Sequence, residues 1–358
     1  MRGPQFDTLL NCVPSFVSSN LPSNVAAKLE MSLSKSSISG LSLDAAGLIA
    51  LADLTTIAER TALRGNASWL DVLFLAPGIH RQQLAAEVNK GEHPVCGAMH
   101  SGYVFRVENQ ATVAFLQRVS TTGHLTVVQV DSPVEEGRIW QKLRSWFAPK
   151  YFAPSVLYLT GFTFTLISIA LIGAIRDFWA LGVLCMLIGA RLINTVVIKR
   201  RAQLTWKGAP EPGVMGDLFV LLSQDRWVRI QGTVDDLKAV TAGQWLRDEQ
   251  TIESFFTALA TLLVYLSAAL APNTSTVGSL IIAVLILTSV ALLGLANSLT
   301  RDLIMFGRTL RVSEGPKAYA RRLDLAKELV EQSGRDDWAI GIGMILPKSG
   351  EAAGKVSV

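Results

Sequence analysis

Four stretches of this 358-residue chain are each long and apolar enough to cross a lipid bilayer. The hydrocarbon layer is about 30 Å thick, and a helix of roughly 20 residues spans it. The four stretches lie at 155–175, 178–198, 252–271 and 277–299. Short connections join them in pairs, so the sequence predicts two transmembrane hairpins, over 151–198 and 252–299. No other feature of the sequence constrains the fold as strongly.

The rest of the chain has the composition of a soluble protein. Hydrophobic residues make up 50% of the sequence and charged residues 17%, and the mean hydropathy is +0.36. The residues outside the apolar stretches suffice for one or two soluble domains. The net charge is +4, and the cations cluster beside the apolar stretches. This distribution favours a lipid bilayer as partner and argues against nucleic-acid binding, which needs a basic stripe on the soluble part.

The basic residues also predict how the chain is oriented in the membrane. They precede the first stretch, follow the second and follow the fourth: Arg138, Lys142, Arg144 and Lys150; Lys199, Arg200, Arg201 and Lys207; Arg301, Arg308, Arg311 and Lys317. Of the two connections within the hairpins, one carries Arg176 and the other has no Lys or Arg. Because cytoplasmic loops carry the excess of Lys and Arg, we expect both termini and the middle loop 199–251 in the cytosol. The sequence does not identify the membrane.

The N-terminal part divides into a lead-in and a helical region. Residues 1–40 are rich in Ser and are predicted to be a partly ordered lead-in. Between 41 and 63 apolar residues recur at helical spacing, over a length that would span a bilayer. Asp44, Asp53 and Glu59 are costly to bury in lipid, so we interpret this stretch as a helix in a soluble core.

Strand and helix signals alternate through 41–131 and predict an α+β region. The strands are expected at 102–107 and 125–130, with a helix over 110–119 between them. The middle loop is predicted to form a β-hairpin that turns at Gln224 and Asp225, followed by a helix that Thr233 caps. In the C-terminal part, 300–348, the sequence predicts a helix from Pro316 to Gln332 and a strand over 338–346.

Three separated segments therefore carry strand signals. A single small cytosolic α+β domain assembled from all three is more economical than three independent domains. The last residues, 349–358, are small and polar and are predicted to be disordered.

The segment 132–148 has the pattern of an amphipathic helix at the membrane surface. Trp140 and Trp146 fall on an apolar face, together with Ile139, Leu143 and Phe147. The cations Arg138, Lys142 and Arg144 fall on the opposite face. Such a helix lies in the plane of the bilayer interface. The alternative is a helix docked on the soluble domain.

The interiors of the apolar stretches contain small residues rather than charges. No Asp, Glu, Lys or His lies near the middle of any stretch, and we assign Arg191 to a helix end from which its side chain can snorkel. Gly161, Gly182, Gly189 and Gly294 allow close approach and are predicted to pack helices together. The alternative use of these polar and small positions is a pore or a lipid pathway.

One cluster has residue types that bind metals, namely His93, Cys96 and His100. Zinc sites use four ligands, or three and a water, and this spacing matches no standard pattern. We therefore predict a structured turn, with no metal and no cofactor. Cys12 and Cys185 are too far from Cys96 in sequence to indicate a disulfide framework. We found no phosphate loop, dinucleotide loop or nucleophile elbow, and no catalytic residue is identified.

Two stretches of the chain resemble predicted multi-pass membrane proteins of filamentous fungi. The first is 118–136, through His124, Leu125, Thr126, Val127 and Val128. The second is 222–244, through Gln224, Asp225, Arg226, Trp227 and Val228. The resemblance covers most of the chain after about residue 40. It implies a multi-pass topology, and it implies neither an activity nor any functional residue.

Three classes of function are compatible with these observations. The first is a protein that acts through contacts, such as an adaptor, an assembly factor or a regulatory subunit in a homo- or hetero-oligomer. The second is a channel or transporter built by oligomerisation of the four spans. The third is a membrane-bound enzyme of a specialised-metabolite or lipid pathway. We favour the first class because it needs no group that the sequence lacks.

Overall fold

Short helices and three strands make up the N-terminal part of the fold. The computed structural model describes residues 46–132, 149–204 and 206–347. In chain order the first elements are α1 (Ala46–Ala50), α2 (Thr56–Arg64), two 3-10 helices (Trp69–Leu73 and Ile79–Asn89), β1 (Val95–Ala98), β2 (Val104–Arg106), α3 (Gln110–Val119) and β3 (His124–Asp131). The predicted helix over 110–119 and the predicted strand over 125–130 are confirmed.

Four long helices and a second set of strands follow. In chain order these elements are α4 (Pro149–Ala174), α5 (Phe178–Arg201), β4 (Met215–Leu222), β5 (Arg226–Thr233), α6 (Val234–Thr241), α7 (Thr251–Leu270), a 3-10 turn (Ala271–Asn273), α8 (Thr276–Leu299), β6 (Leu303–Met305), β7 (Arg308–Ala318), α9 (Arg322–Ser333) and α10 (Asp337–Gly341). Helices α4, α5, α7 and α8 are long and apolar enough to cross a membrane.

The predicted hairpin and cap in the middle loop are confirmed. Strands β4 and β5 pair antiparallel. Residues 223–225 connect them, and Gln224 and Asp225 both have positive φ, which suits a tight hairpin turn. Thr233 then begins α6, because its side chain accepts a hydrogen bond from the backbone N–H of Asp236.

The four long helices pack as pairs that differ from the pairs joined in sequence. Helix α4 lies along α8, and α5 lies along α7, whereas α4 and α5 contact each other much less. The two predicted hairpins therefore describe the connectivity of the chain but not its main helix packing.

Asp177 ties together the two short connections of this bundle. One of its carboxylate oxygens caps α5 by accepting a hydrogen bond from Ala180 N at 2.9 Å. The other accepts from Ser275 N, just before α8, at 2.8 Å. A Cβ on Gly278 would lie 2.3 Å from this carboxylate, so only glycine permits so close an approach.

Residues 46–89, which we call the wedge, fill the space between the helix pairs. Helix α1 contacts both α7 and α8, and the 3-10 helix Trp69–Leu73 contacts both α4 and α5. The second 3-10 helix, Ile79–Asn89, packs on α5 and α7. One apolar core consequently combines wedge side chains with side chains of all four long helices; its wedge members include Ala50, Ile57, Phe74, Leu75 and Ile79.

The helix predicted over 41–63 is interrupted, and its packing differs from the prediction. Helix α1 ends at Ala50, and α2 begins only at Thr56. Asp53 lies in the break, where it forms an ion pair with Arg81. Because Ile57 belongs to the core of the long helices, this stretch is not confined to a soluble core.

All three segments contribute strands to one mixed, seven-stranded sheet. The strand order is β2-β1-β4-β5-β3-β7-β6. Strands β3 and β5 pair in parallel, and the other neighbours pair antiparallel. The long helices therefore interrupt a single α+β unit rather than separate several units.

Helices cover both faces of the sheet. One apolar core lies between the sheet and helices α2, α3 and α6, and it includes Ile198 from the end of α5. The core on the other face joins the sheet to α9 and α10. Trp245 is fully buried in the first core and donates its indole N–H to Gly65 O at 2.8 Å. The wedge thus packs on the long helices with one part and on the sheet with another.

The predicted C-terminal elements are wrong in two respects. Residues 308–318 form β7, so Pro316 lies in a strand, and the following helix starts only at Arg322. The run 338–346 contains α10 and turns instead of a strand. Trp338 is fully buried against Phe219, with ring centroids 5.4 Å apart, which explains its apolar character without a strand.

Several predictions fall outside the described residues. They concern the lead-in 1–40, the tail 349–358 and the amphipathic segment 132–148, of which only Ser132 is described. The interfacial positions Arg138, Trp140, Lys142, Arg144 and Trp146 therefore stay predictions.

Candidate functional site

Asp71 lies at the centre of a buried polar cluster between the wedge and the long helices. Ser68 and Asp71 form a capping box at the start of the 3-10 helix, in which Asp71 Oδ2 accepts from Ser68 N at 2.6 Å. Asp71 Oδ1 accepts a hydrogen bond from the hydroxyl of Tyr158 on α4. Arg191 on α5 donates its Nε to the backbone carbonyl of Asp71 at 2.9 Å. A single wedge residue thus bonds to two helices.

The assignment of Arg191 to a helix end is wrong. It lies near the middle of α5, and only 1% of its surface is exposed, so the side chain does not snorkel. A buried charge is costly unless it is compensated; Arg191 is hydrogen-bonded to the backbone carbonyl of Asp71, and attraction by the Asp71 carboxylate opposes the cost of burial. Sequence analysis missed this pairing because the partners are 120 positions apart.

A second buried arginine, Arg60 on α2, shares the same cluster. Its guanidinium lies over the ring of Tyr158, 5.1 Å from the centroid. Burial lowers the pKa of Arg60 to about 10, with repulsion from Arg64 adding to the shift and attraction by Asp71 and Tyr158 opposing it. The Asp71 carboxylate therefore attracts two buried cations, Arg60 and Arg191.

Close packing of Gly161 on Phe74 holds the wedge against α4. The Phe74 ring stacks on Tyr158, with centroids 5.1 Å apart. A Cβ on Gly161 would lie 2.3 Å from Phe74 Cε2, so this glycine permits close approach to the wedge rather than to another long helix.

The other predicted packing glycines occupy different surroundings. Within the part of the chain that the structure describes, a Cβ on Gly182 or on Gly189 would meet no atom within 4 Å, and Gly182 is exposed on the outer face of α5. Gly294 lies 4.0 Å from the Thr56 side chain of the wedge by the same measure. Only Gly161 among the four is tightly enclosed within the chain.

A chain of side chains links the wedge to the ends of α5 and α7. Asn194 donates to Ile79 O at 2.9 Å and accepts from Gln83 Nε2 at 3.1 Å. Arg201 Nη1 donates to Gln83 Oε1 at 2.9 Å and to Glu249 at 2.7 Å. These bonds connect the second 3-10 helix, the end of α5 and the residues that precede α7.

Some buried polar atoms of the wedge and the long helices have no hydrogen-bond partner among the described residues. Gln82 is completely buried, and neither its amide nitrogen nor its oxygen is bonded. The same holds for Thr195 Oγ1 and for Nη1 of Arg191. Buried polar groups normally bind protein or ordered water, so these atoms are expected to be hydrated or to face a ligand.

A cavity of about 720 Å³ lies where the end of α8 meets the sheet unit. Its walls come from α2, α3, the β4–β5 turn, the end of the second 3-10 helix and the last turn of α8. Arg118 donates to the carbonyls of Asn297 and Ser298 at the end of α8 and so completes that helix. A second cavity of about 600 Å³ shares Arg118 and Phe115 with the first.

The structure does not assemble a metal site from His93, Cys96 and His100. Cys96 is buried in β1, and burial raises the pKa of its thiol. His93 lies 3.8 Å from the Glu108 carboxylate, whereas His100 Nδ1 accepts from the backbone N–H of Asp217 at 3.5 Å. Within the described residues no group of His, Cys, Asp and Glu side chains could hold a metal ion.

Asp236 anchors the start of α6 to two other segments. Its carboxylate accepts from Ser132 at 2.5 Å, from Thr233 at 2.7 Å and from Arg308 on β7 at 2.6 Å. Burial alone would raise the pKa of Asp236, but these three hydrogen bonds outweigh it and hold the pKa below its ordinary value of 3.8.

We expect Asp236→Asn to lower the free energy of unfolding by about 1–3 kcal/mol at neutral pH. Because the folded pKa is depressed, the stabilisation is complete above the unfolded pKa of about 4 and is lost as the pH falls towards the folded pKa. Chemical denaturation at a series of pH values should show the variant and the parent converging in acid. The neighbouring Asp235→Asn is the control, and a difference independent of pH would contradict the assignment.

Comparisons with family models, curated proteins and solved structures found no match to this chain. The geometry described above is therefore the basis of the functional interpretation.

Proposed function

We propose that this protein is a multi-pass membrane protein that acts through contacts, as an adaptor, an assembly factor or a regulatory subunit. The observation that carries the proposal is the wedge, which packs against all four long helices and also against the sheet unit. A displacement of the helices would therefore be transmitted to the sheet unit, and the reverse. Such coupling suits a protein in which a partner that binds the sheet unit responds to a change in the membrane helices.

The proposal places the sheet unit in the cytosol. Its support is the excess of Lys and Arg beside the ends of the long helices that adjoin the sheet unit, whereas the opposite connections carry only Arg176. The amphipathic segment 132–148, with Trp140 and Trp146 on its apolar face, would lie at the bilayer surface between the sheet unit and α4.

The outer face of α5 is the proposed contact with a second copy or another membrane protein. Gly182, Cys185 and Gly189 recur at helical spacing, and the first two are exposed. Small residues let a neighbouring helix approach closely in a bilayer, where packing rather than hydrophobicity drives association. We call these three residues the small-residue face.

We expect Cys185 to form a covalent dimer when native membranes are treated with a thiol cross-linker. The test protein carries Cys12→Ser, which leaves Cys96 and Cys185. Cys96 is buried and Cys185 is exposed, so a cross-link is assigned to Cys185. Adding Gly182→Leu and Gly189→Leu should abolish the dimer while the chain stays inserted. A Cβ at either position would meet no atom of the described residues within 4 Å.

Gly173→Leu on α4 is the matched control, because Gly173 is also exposed and a Cβ there would meet none of the described atoms within 4 Å. It should leave the cross-link unchanged. Recovery of the protein as a lone monomer from native membranes, with no cross-linked partner of any size, would contradict the proposal.

A channel or transporter is the second candidate, and the unpartnered atoms of Gln82, Thr195 and Arg191 favour it. Buried polar groups in a membrane segment commonly mark a hydrated path. Ion conductance by the pure protein in vesicles, abolished by Gln82→Leu, would support transport over the contact function.

A further inference from the structure

An exposed ion pair lies about halfway along the long helices. Asp53 and Arg81 of the wedge pair with each other, and their side chains are 59% and 43% exposed. The residue before Arg81 is His80, whose backbone carbonyl accepts a hydrogen bond from the Thr261 hydroxyl at 3.5 Å and whose ring centroid lies 6.0 Å from that of Tyr265. Thr261 is the eleventh of the twenty residues of α7, so at 1.5 Å per residue it lies about 15 Å from either end of that helix. The ion pair therefore lies at a similar depth.

A bilayer around the long helices would make this exposure costly. Ionisable side chains at the middle of a membrane almost always face the protein interior or a water-filled space. The Asp53 side chain is too short to reach either surface of the bilayer from this depth. Contact with water, in place of hydrocarbon, removes the cost.

The ion pair lies on a surface of the wedge that α7 and α8 border. Helix α1 contacts both of these helices, α2 packs on α8, and the second 3-10 helix packs on α7. Between the described residues of α7 and of α8 there is hardly any direct contact. The two helices consequently leave the wedge uncovered between them, and Asp53, Leu54 and Thr55 are exposed.

Polar side chains continue from the ion pair to the end of the bundle that adjoins the sheet unit. Thr55 Oγ1 donates to Glu59 Oε1 at 2.9 Å, and both residues are exposed. Glu59 lines the cavity of about 720 Å³ at the end of α8, as does Lys90 at the end of the second 3-10 helix. At about 2.0 Å per residue of a 3-10 helix, the distance from Arg81 to Lys90 is about 18 Å, which agrees with the depth of the ion pair. We call the surface formed by Asp53, Leu54, Thr55, Glu59 and Arg81 the cleft.

The opposite end of the cleft is closed by α1. This helix contacts the turn Ala271–Asn273 in addition to α7 and α8. A Cβ on Gly47 would lie 2.5 Å from the carbonyl oxygen of Ala268, so α1 and the end of α7 are in direct contact. The five residues of α1 are apolar, and Ala50 is buried. The polar surface therefore reaches only one end of the bundle.

We propose that the cleft is filled with water, open towards the sheet unit and towards the lipid between α7 and α8, and closed at the other end by α1. Water then reaches about 15 Å into the hydrocarbon layer, which is half of its thickness. The inference rests on the proposed membrane insertion and adds a function to the contacts, namely a polar path through half of the membrane. A polar group of a membrane-embedded substrate enters this path sideways, because α7 and α8 do not close it.

The accessibility of single cysteines tests for water in the cleft. The full-length protein carries Cys12→Ser and Cys185→Ser, and the remaining Cys96 is completely buried. Leu54→Cys places a thiol beside the ion pair. Phe164→Cys is the matched control, because the two parent side chains are equally exposed, at 39%. It lies in the middle of the apolar span of α4, which does not border the cleft.

The reagent is a charged, membrane-impermeant thiosulfonate, added to sealed vesicles that expose the sheet unit. Lys327→Cys, at an exposed position on α9, gives the rate in water. Leu54→Cys should react within about tenfold of that rate, because thiols react as thiolates, which form in water. Phe164→Cys should react at least about a hundredfold more slowly, because hydrocarbon excludes the reagent and disfavours the thiolate. Reagent supplied only to the opposite side should leave Leu54→Cys unmodified, because α1 closes that end.

Two further variants keep the test decisive. Thr55→Cys replaces Leu54→Cys if the latter fails to fold, and the same rates are expected. Asp53→Leu combined with Arg81→Leu removes the ion pair, so that lipid can replace the water, and should slow the reaction of Leu54→Cys by at least about tenfold.

A reaction of Leu54→Cys and Thr55→Cys as slow as that of Phe164→Cys would overturn the water-filled cleft and leave the membrane assignment intact. Modification of Leu54→Cys from the side opposite the sheet unit would overturn the closure by α1. If Phe164→Cys reacted as fast as Lys327→Cys, the long helices would not be surrounded by lipid, and the membrane assignment and the cleft would fail together.

Discussion

Replacing Asp71 by Asn is expected to lower the free energy of unfolding by about 3–5 kcal/mol. The carboxylate is buried and attracts two buried cations, Arg60 and Arg191, so its loss leaves their positive charge less compensated. Asparagine keeps the size of the side chain and one oxygen for the Tyr158 hydroxyl. Chemical denaturation in mild detergent measures the effect as the free energy of unfolding.

A double-mutant cycle separates the charge effect from a general loss of packing. Arg191→Leu alone should also be strongly destabilising, because it leaves Asp71 with less compensation. The double variant should be less destabilised than the sum of the two single variants by at least about 1 kcal/mol. Asp225→Asn, which removes the exposed ion pair with Arg322, is the control and should cost at most about 1 kcal/mol. Additive effects of Asp71 and Arg191 would show that the two residues are not coupled.

Local sequence rules correctly predicted the elements that depend only on residues close together in the sequence. The helix α3, the turn at Gln224 and Asp225, and the cap at Thr233 each depend on neighbouring side chains and backbone conformation. Hydrophobic length alone predicted the four long helices. These elements needed no knowledge of tertiary contacts.

The wedge could not be predicted in this way. Its first 3-10 helix has only five residues, and Asp53, Asp71 and Arg81 make its sequence look soluble. Its location depends on the pairing of α4 with α8 and of α5 with α7, which opens the space that it fills. No local rule gives that pairing, so the role of Asp71 became visible only in three dimensions.

The two wrong predictions in the C-terminal part also arise from tertiary contacts that the local sequence does not show. Strand β7 is rich in charged residues and contains Pro316, a pattern that opposes strand assignment except at an edge. Only three residues of β6 cover its outer side, so most of β7 behaves as an edge strand. The run 338–346 is apolar because Trp338 and Ala339 are buried under the sheet, and this burial requires no β conformation.

Phe74 is a core residue, and its replacement is the second substitution that we expect to destabilise the protein strongly. Phe74→Ala should lower the free energy of unfolding by about 3–5 kcal/mol, because the ring is 99% buried between Gly161 and Tyr158. Gly161→Ala should cost about 1–3 kcal/mol for the opposite reason, since the new methyl group overlaps the ring. Both values are measured by the same denaturation experiment.

Complementary substitutions show whether the wedge packs directly on α4. Phe74→Leu makes room near Gly161, so Gly161→Ala should be less costly in that background than in the parent. Gly173→Ala is the matched control on α4, because no atom of the described residues lies within 4 Å of the added methyl group, and it should change stability by no more than about 0.5 kcal/mol. If Gly161→Ala were equally harmless, or if its cost were the same with Leu at position 74, the wedge would not lie against α4. Rescue would instead confirm that residues 46–89 are an integral part of the helix bundle, which is the condition for coupling the bundle to the sheet unit.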